Sequence, residues 1–446
     1  MSDKWTRRQF LGVAAATGAA VVLGACKPEA TPTAESVEKP AEEPKEAPVE
    51  AEEINFLCRT DIINAYAADV AVEEWNANFP SQVVMDEPAG DVATKVQAAQ
   101  AAGDLVWDGF SVMEGPWATM EWVERGLIQP LDDYVDASQI PNADKLVPGI
   151  VETIRTVASY EDKLYGIPGN VGSVGLAWMT EPLQEAGIEE QPWTWDEVKE
   201  AAIKVQEGST GMVPFAVACR ALCDLYALIW GATDEPIDED GVVDIRGEAS
   251  IAAVTWFRDM IEEGLFDWTL GFGDWLKGDI AMIHSFDVAG TMAQQTFGMD
   301  AARQGVGIYR EPDDLKAGVP FWINMSVLFN QAENASGMVD FFLWWFGPDN
   351  EKTGKQITEV AAKPCYTYTY EQFVEGNPDQ QWQKEAIDII AESKWFPVNR
   401  AYSIANTHVG PALEKCYDLN QAFEPEQAMQ EAYDNIKADL AELRES

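Results

Sequence analysis

Residues 160–179 read YEDKLYGIPGNVGSVGLAWM and mark a change in the pattern of the chain. Before them, strand-like apolar runs alternate with amphipathic helical runs, which is typical of an α/β layer architecture with a largely parallel sheet. Lys163–Pro168 interrupts that alternation and leads into a glycine-rich strand at Gly169–Gly175. Because glycine has no side chain, such a strand can pass between two packed bodies with little steric demand. The stretch therefore predicts an α/β chain in which a crossing segment joins two bodies.

The segments on either side fit the same architecture. Ile54–Arg59 alternates in polarity as a strand does, and Asp91–Ala102 has helical spacing. Thr194 and Glu197 stand three residues apart at the start of a helical run, which indicates a capping box. We also predict strands at Leu105–Trp107, Ile280–Ser285, Val306–Tyr309 and Trp322–Phe329, and helices at Ile251–Gly264, Gly337–Phe346, Gln380–Ser393 and Glu424–Glu445.

Residues 1–26 have the features of an export signal. Arg7 and Arg8 precede an apolar run from Phe10 to Ala25, which is shorter than the ~20 residues that span a bilayer. The run closes on Leu23-Gly24-Ala25-Cys26, which resembles a lipobox. We therefore expect twin-arginine export and a lipid on Cys26 that anchors the protein outside the cytoplasm. The alternative is an ordinary uncleaved apolar helix.

Residues 27–53 are rich in Pro, Glu and Ala and contain almost nothing that could enter a core. Pro40, Pro44 and Pro48 block a charged helix, and the like charges repel one another. We predict a disordered tether between the anchor and a globular body that begins at Ile54.

The composition excludes several classes of partner. A formal net charge of −46 argues against nucleic acid and anionic lipid, and it makes a polyanionic ligand a poor candidate. Besides Cys26 the chain has Cys58, Cys219, Cys223, Cys365 and Cys416, without a neighbouring cluster of metal-ligand spacing. We expect no metal and no cofactor.

Several short segments, in this order, resemble the family 1 extracellular solute-binding proteins of bacterial ABC importers. They include a turn similar to "GKLYGIP", a helix similar to "LLEEAGI" and a helix start similar to "TWDEL". Asp162 stands where the family pattern has Gly, and Thr180-Glu181 replaces an Asn-Lys pair. The matching segments are residues 104–107, 126–134, 160–168, 176–179, 183–188, 193–197 and 276–282.

The resemblance implies a two-lobed, type II periplasmic-binding-protein-like α/β fold with hinge-connected, mostly parallel mixed sheets. By analogy, lobe 1 holds 54–168 and 282–321, and lobe 2 holds 169–281 and 322–446. It also implies a monomeric receptor that closes on a small solute and delivers it to ABC transporter permease subunits.

Sugar rings favour aromatic platforms and bidentate polar groups, and the chain has 17 Trp. Residues of these types occur after predicted strands and on crossing segments, where the resemblance implies ligand contacts. The candidate ligand-binding residues are Arg59, Asp61, Trp107, Asp108, Asn170, Trp178, Tyr226, Trp230, Ser285, Phe286, Asp287, Trp322, Asn324 and Arg400. Each of them could instead be a core or capping residue, and we interpret His284 and His408 as structural.

The favoured function is therefore capture of a sugar or oligosaccharide without catalysis. A polyamine remains an alternative solute, because an acidic aromatic pocket would also suit a cation. A glycerol-phosphate compound remains another, because a local arginine pair such as Arg59 and Arg400 could override the unfavourable net charge. A secreted glycoside-active enzyme and an adhesive surface lipoprotein are weaker alternatives. No nucleophile, P-loop or dinucleotide motif supports an enzyme.

Overall fold

The fold is taken from a computed structural model of this chain, which describes part of the sequence. The described residues are 52–59, 66–87, 92–114, 121–208, 211–218, 222–238, 241–286, 288–298, 300–305, 307–312, 321–359, 363–375, 388 and 401–445. The predicted signal (1–26), the tether (27–53, apart from its last two residues) and nearly all of the helix predicted at Gln380–Ser393 lie outside them.

The strands are β1 (Glu53–Cys58), β2 (Gln82–Asp86), β3 (Gly109–Glu114), β4 (Ile128–Gln129), β5 (Ser159–Tyr160), β6 (Lys163–Leu164), β7 (Gly166–Met179), β8 (Val213–Val217), β9 (Ile280–Phe286), β10 (Ala302–Gln304), β11 (Phe321–Phe329) and β12 (Lys363–Pro364). The main path runs β2-β1-β3-β11-β7-β9-β8, and β5 and β6 form a separate hairpin. The pairs β1–β2, β1–β3 and β8–β9 are parallel, whereas β11 and β7 pair with their neighbours in antiparallel fashion. The result is a mixed α/β sheet.

The helices are α1 (Ala68–Asn78), α2 (Val92–Ala102), α3 (Asp132–Ala137), α4 (Ala143–Gly149), α5 (Glu152–Val157), α6 (Thr180–Glu185), α7 (Trp195–Glu207), α8 (Leu222–Trp230), α9 (Glu248–Glu262), α10 (Phe272–Trp275), α11 (Val288–Phe297), α12 (Ala335–Trp345), α13 (Glu351–Glu359), α14 (Thr367–Thr369), α15 (Ala401–Tyr417) and α16 (Pro425–Glu445). A π-helical turn, Tyr370–Val374, follows α14. None of the helices in the described part of the chain is both long and apolar enough to cross a membrane.

One long strand, β7, connects the two halves of the sheet. Its first part pairs with β11 as far as Ser173, and its second part pairs with β9 from Val174 onward. At about 3.3 Å per residue its 14 residues extend about 45 Å. Glycine is needed where neighbours press closely, since a Cβ on Gly166 would lie 2.4 Å from the sulfur of Met325. The crossing strand predicted from the glycine-rich stretch is confirmed.

The first apolar core defines lobe 1. It contains buried residues of 54–171 together with residues of 309–366. At its centre the Phe56 ring meets Phe341, Phe342 and Trp345 edge to face, with centroids 5.5–6.0 Å apart. Such aromatic pairs add about 0.5–1.5 kcal/mol each beyond the area that they bury. They fix α12 against β1.

The second and third cores define lobe 2. The second core joins residues of 176–308 with residues of 405–436, and it covers one face of the β7–β9–β8 sheet. The third, smaller core contains Trp275, Ile283, Ala289 and Ala293. Because α10 and α11 supply that core, the lobe 2 sheet has helices on both faces. This two-lobed α/β arrangement is the fold class predicted from the sequence. The expectation of mostly parallel sheets is wrong, because among the described strands three pairs are parallel and seven are antiparallel.

The predicted lobe boundaries differ from the packing after residue 281. Residues 282–321 were expected in lobe 1, but buried residues from Met282 to Ile308 pack in the second and third cores. The segment from Ile323 to Tyr366, expected in lobe 2, packs in the first core. Sheet pairing explains both differences, since β9 lies between β7 and β8 whereas β11 lies between β3 and β7.

Most predicted elements agree with the structure, and two do not. The strand expected at Leu105–Trp107 is wrong, because the strand that pairs with β1 is Gly109–Glu114. The strand expected at Val306–Tyr309 is reduced to a single bridge between Tyr309 and Thr194. The predicted capping box is present, with Thr194 and Glu197 bonding each other's backbone amides at the start of α7.

Candidate functional site

The crevice between the lobes lies where β7 leaves the first core. Val171 is the last β7 residue in that core, and Leu176 is the first in the second core. The strand beside this boundary is β11, in which Trp322 pairs with Gly172 and Asn324 pairs with Asn170. Carboxyl ends of β1, β3 and β9 approach the same boundary, and such ends are where open α/β sheets bind ligands.

Two predicted site residues, Asn170 and Asn324, meet at the crossing. The Asn324 amide nitrogen donates to the Asn170 side-chain oxygen over 2.8 Å. The Tyr66 hydroxyl donates to the same oxygen. Asn170 and Tyr66 are buried, while Asn324 is partly exposed. Side-chain amides both donate and accept hydrogen bonds, so this cluster can bind hydroxyl groups without carrying a charge.

Four further predicted residues lie at this boundary between the lobes. Arg59 follows β1 directly, is half-buried, and its backbone amide donates to Ser111 over 3.1 Å. At the end of β9, the buried Ser285 pairs with Gly175 and the half-buried Phe286 pairs with Val174. The backbone of Trp322 also lies at the crossing. The structure thus brings Arg59, Asn170, Ser285, Phe286 and Asn324 to the boundary between the lobes.

Trp107 and Asp108 are at the wrong end of their strand. Both precede β3, so they lie at its amino end, away from the crevice. The Trp107 indole donates to Asp86 over 3.1 Å. Asp108 is 2% exposed, and its two carboxylate oxygens accept the backbone amides of Asn55 and Asn334, each over 2.7 Å. Because its oxygens are occupied by the backbone, Asp108 is a structural residue.

Three other candidates belong to lobe 2 and not to the crevice. Tyr226 and Trp230 are 1% and 0% exposed within the second core, with ring centroids 6.0 Å apart. Trp178 lies near the far end of β7, opposite Met282 and Arg303, and packs against the same core. All side chains of α8 from Asp224 to Trp230 are buried, so this helix belongs to the interior of lobe 2. These three are corrections to the predicted site.

The remaining candidates Asp61, Asp287, Arg400 and Cys26 lie outside the described residues, and of Trp322 only the backbone is described. Among the described residues, no group of three or more His, Cys, Asp or Glu is placed to hold a metal ion.

The sequence did not single out the tyrosines that surround the crossing strand. The Tyr66 hydroxyl donates to the Asn170 side-chain oxygen. The Tyr366 hydroxyl donates to the Pro168 carbonyl over 2.5 Å, and the Tyr368 hydroxyl donates to Phe346 over 2.6 Å. Burial raises the pKa of both Tyr366 and Tyr368 above the usual tyrosine value. The only sequence signal was a run of alternating tyrosines at 366–370.

His284, interpreted from the sequence as structural, faces a carboxylate below the crevice. Its Nδ1 lies 3.4 Å from Asp224 Oδ1, with the side chains 1% and 0% exposed. Asp224 is in the first turn of α8, and His284 is in β9. The pair joins α8 to the lobe 2 sheet, which agrees with a structural role.

Comparison with known proteins shows a match to one protein family and partial sequence similarity to individual binding proteins. Residues 61–352 match the family described as bacterial extracellular solute-binding protein. A Brucella abortus binding protein is 23% identical over 159 residues, which cover 35% of this chain and 37% of that protein. An arabinooligosaccharide-binding protein of Halalkalibacterium halodurans is 26% identical over 200 residues, covering 43% of this chain and 42% of that protein. These alignments span less than half of the length of either relative.

The fold similarity to a solved structure extends further. An ABC substrate-binding protein from Listeria monocytogenes, in complex with cycloalternan, superposes with a TM-score of 0.74. The superposition covers 88% of this chain and 100% of the Listeria chain, at 18% sequence identity. At this identity the likeness concerns the fold, and it includes both lobes.

Proposed function

This chain belongs to the family of bacterial extracellular solute-binding proteins, and from this premise we propose that it is a receptor that captures an oligosaccharide between its lobes. The observation that carries the proposal is the cluster of Tyr66, Asn170 and Asn324 at the crossing strands. A member of this family needs a solute site in the crevice, and this cluster offers uncharged hydrogen-bonding groups there.

The chemistry of the crevice suits a sugar. Amide groups can bond vicinal hydroxyls, and the half-buried ring of Phe286 can pack against the apolar C–H face of a pyranose. Arg59 can donate to a ring or glycosidic oxygen. A relative named for arabinooligosaccharides and a structural neighbour that holds cycloalternan support this class of solute.

The proposal includes the fate of the solute and the position of the protein. The receptor acts outside the cytoplasm, held by a lipid on Cys26 and the tether at 27–53, and passes its solute to the permease subunits of an ABC importer. It acts as a monomer and without turnover of the solute. Asp61 and Asp287 remain proposed contacts because they come soon after the ends of β1 and β9 in the sequence, and Trp322 remains one because it lies on β11. Arg400 remains a proposed contact on the family resemblance alone.

Thermal unfolding of the purified protein with a panel of solutes tests the proposal. The panel holds monosaccharides, arabino- and malto-oligosaccharides, sugar alcohols, glycerophosphodiesters and polyamines. A solute at 100 times its dissociation constant adds about 2.7 kcal/mol, which corresponds to a rise of several degrees. We expect the rise with one oligosaccharide class. A rise with polyamines alone would overturn the sugar assignment, and no rise with any solute would overturn the receptor proposal.

The Asn324→Ala variant locates the site. It should weaken binding of the active oligosaccharide about tenfold, because it removes a hydrogen bond at the crossing. Asn330→Ala is the matched control, since Asn330 directly follows the same strand, is exposed, and donates to the Gly126 carbonyl. Equal affinity in the two variants would place the solute elsewhere.

A further inference from the structure

Lobe 1 carries a surface groove apart from the crevice. Its walls are α3, α4, α5 and the β5–β6 hairpin. Two adjoining cavities of about 610 and 520 Å³ share Asp132, Val147 and Leu164. All of the lining residues belong to lobe 1, and none of them lies on the crossing strands. Occupation of the groove therefore need not compete with a solute in the crevice.

The groove is strongly acidic. Its lining contains one cation, Arg155, which already bonds both oxygens of Glu152 at 2.9–3.0 Å. Lys145 and Lys163 are near in sequence but are not among the lining residues. The carboxylates that line the groove are Asp132, Asp136, Asp144, Glu152, Glu161 and Asp162.

The groove also has apolar and aromatic surfaces. Val135, Ile140 and Leu164 line its floor. Tyr160 lines one end of the groove, and its ring lies 6.3 Å from that of Tyr165, which is not among the lining residues. The charge of Glu161, followed by burial, raises the pKa of Tyr160, and burial followed by Glu161 raises the pKa of Tyr165. The aromatic end of the groove therefore lies in a negative potential.

The hairpin turn holds two of the carboxylates in an unusual conformation. Glu161 and Asp162 have φ values of 48° and 63°, the left-handed values that a two-residue turn of type I′ requires. Asn-Gly is the favoured sequence for such a turn, whereas this chain places two exposed acids there. Replacing Glu161-Asp162 by Asn-Gly therefore removes both charges and at the same time installs the sequence that this turn favours.

We propose that this groove is a docking surface for a protein partner that presents an extended, arginine-bearing segment. Guanidinium groups bond carboxylates in a bidentate manner and stack on tyrosine rings, and their aliphatic stems cover apolar floors. A segment with arginines separated by small apolar residues would use the three surfaces at once. Charge complementarity selects this occupant over nucleic acid and anionic lipid, which the groove repels.

A peptide-binding experiment on the full chain tests the proposal. The probe is the capped peptide Gly-Arg-Val-Arg-Gly-Arg, measured by calorimetry at physiological ionic strength. The variant E161N/D162G removes two groove carboxylates and installs the favoured turn sequence. It should weaken peptide binding about tenfold, as expected for the loss of two ion pairs. The control E189Q/E190Q removes two adjacent, exposed carboxylates from lobe 2 and should change the affinity less than about twofold.

A second variant and two competitors complete the test. The variant D136N/D144N, with its changes on α3 and α4, should weaken peptide binding about as much as E161N/D162G does. Equal losses in the lobe 2 control would show general attraction to an acidic protein and overturn the proposal. Equal affinity for a lysine analogue, or displacement by spermidine or Ca²⁺ at matched charge, would overturn the arginine-bearing partner. The oligosaccharide-induced rise in melting temperature should be unchanged in all of these variants, so the outcome is separate from that of the proposed function.

Discussion

The side-chain oxygen of Asn170 accepts the hydrogen bonds that connect the crossing strands to each other and to the segment before α1. It accepts hydrogen bonds from Tyr66, which precedes α1, and from Asn324 in β11. Buried polar groups that lose a partner cost more than the bond itself contributes, because the remaining group is left desolvated. This oxygen therefore joins three distant segments of the chain and also faces the crevice.

Asn170→Ala should lower the free energy of unfolding by about 2–3 kcal/mol, because the buried Tyr66 hydroxyl loses its acceptor. Urea unfolding followed by fluorescence measures the change. The double variant Tyr66→Phe/Asn170→Ala should lose less than the sum of the single losses, since the phenylalanine leaves no unpaired hydroxyl. Strict additivity of the two losses would contradict the coupling.

Tyr309 presents the opposite case, a buried hydroxyl with no hydrogen-bond partner in the described part of the chain. Burial raises its pKa to about 12. The unfolded chain releases this proton near pH 10 and the folded chain near pH 12, so the stabilisation is complete below pH 10 and is lost as the pH rises through that interval. The loss is about 1.4 kcal/mol per pH unit.

Tyr309→Phe should therefore stabilise the protein by about 1 kcal/mol at pH 8, because it removes an unsatisfied polar group. The difference in free energy of unfolding between this variant and the wild type should increase between pH 10 and 12. Urea midpoints at pH 8, 9, 10 and 11 provide the measurement. The buried Cys416, whose pKa burial also raises to about 12, titrates in both proteins and cancels in the difference. A constant difference across this pH range would contradict the assignment to Tyr309.

At the scale of elements, α7 shows how a local sequence signal fixes a helix boundary. The Thr194 hydroxyl accepts the Glu197 amide over 3.2 Å, and Glu197 accepts the amides of Trp193 and Thr194 over 2.8 and 2.9 Å. The helix then buries Trp195, Val198 and Val205 on one side. Its first turn therefore sets which side chains reach the second core.

Thr194→Ala should cost about 1 kcal/mol in the free energy of unfolding, the usual value for loss of an N-cap. Thr255→Ala is a matched control, because Thr255 lies in the interior of α9 and its exposed hydroxyl donates to the carbonyl of Ile251 in the same helix. That change should be neutral or slightly stabilising, since alanine is the better helix former. Thermal and urea unfolding of both variants give the comparison. A smaller loss in Thr194→Ala than in Thr255→Ala would contradict the capping role.

The sequence predicted elements well where the signal is local and poorly where it is not. The α7 cap, the glycine-rich crossing and the amides Asn170 and Asn324 all belong to local patterns. Trp107 was misplaced because two apolar runs follow one another at 105–107 and 109–114, and periodicity does not tell which one pairs with β1. Tertiary packing favours 109–114, because only glycine fits beside α12 at this point: a Cβ on Gly109 would lie 2.7 Å from Met338. These two residues are far apart in sequence, so the contact has no local signal.

At the scale of the whole molecule, the order of lobes along the chain depends on pairing between distant strands. β9 and β11 have similar apolar compositions, and either could have joined either lobe by its own sequence. Their partners separate them, since β9 pairs with β8 in parallel and β11 pairs with β3 in antiparallel fashion. Local sequence patterns therefore could not predict the lobe boundaries after residue 281.

The net charge of −46 also acts on the molecule as a whole. Like charges repel in the compact state more than in the expanded chain, and salt screens them, with a Debye length that falls from about 30 Å at 0.01 M to about 4 Å at 0.5 M. We therefore expect the melting temperature to rise by several degrees between 0.01 and 0.5 M NaCl, measured by calorimetry. The same rise in choline chloride would assign the effect to screening, because choline is a poor ligand for carboxylates. A rise that needs Na⁺, or a fall with either salt, would contradict self-repulsion and show that specific ion pairs such as Lys199–Glu263 outweigh it.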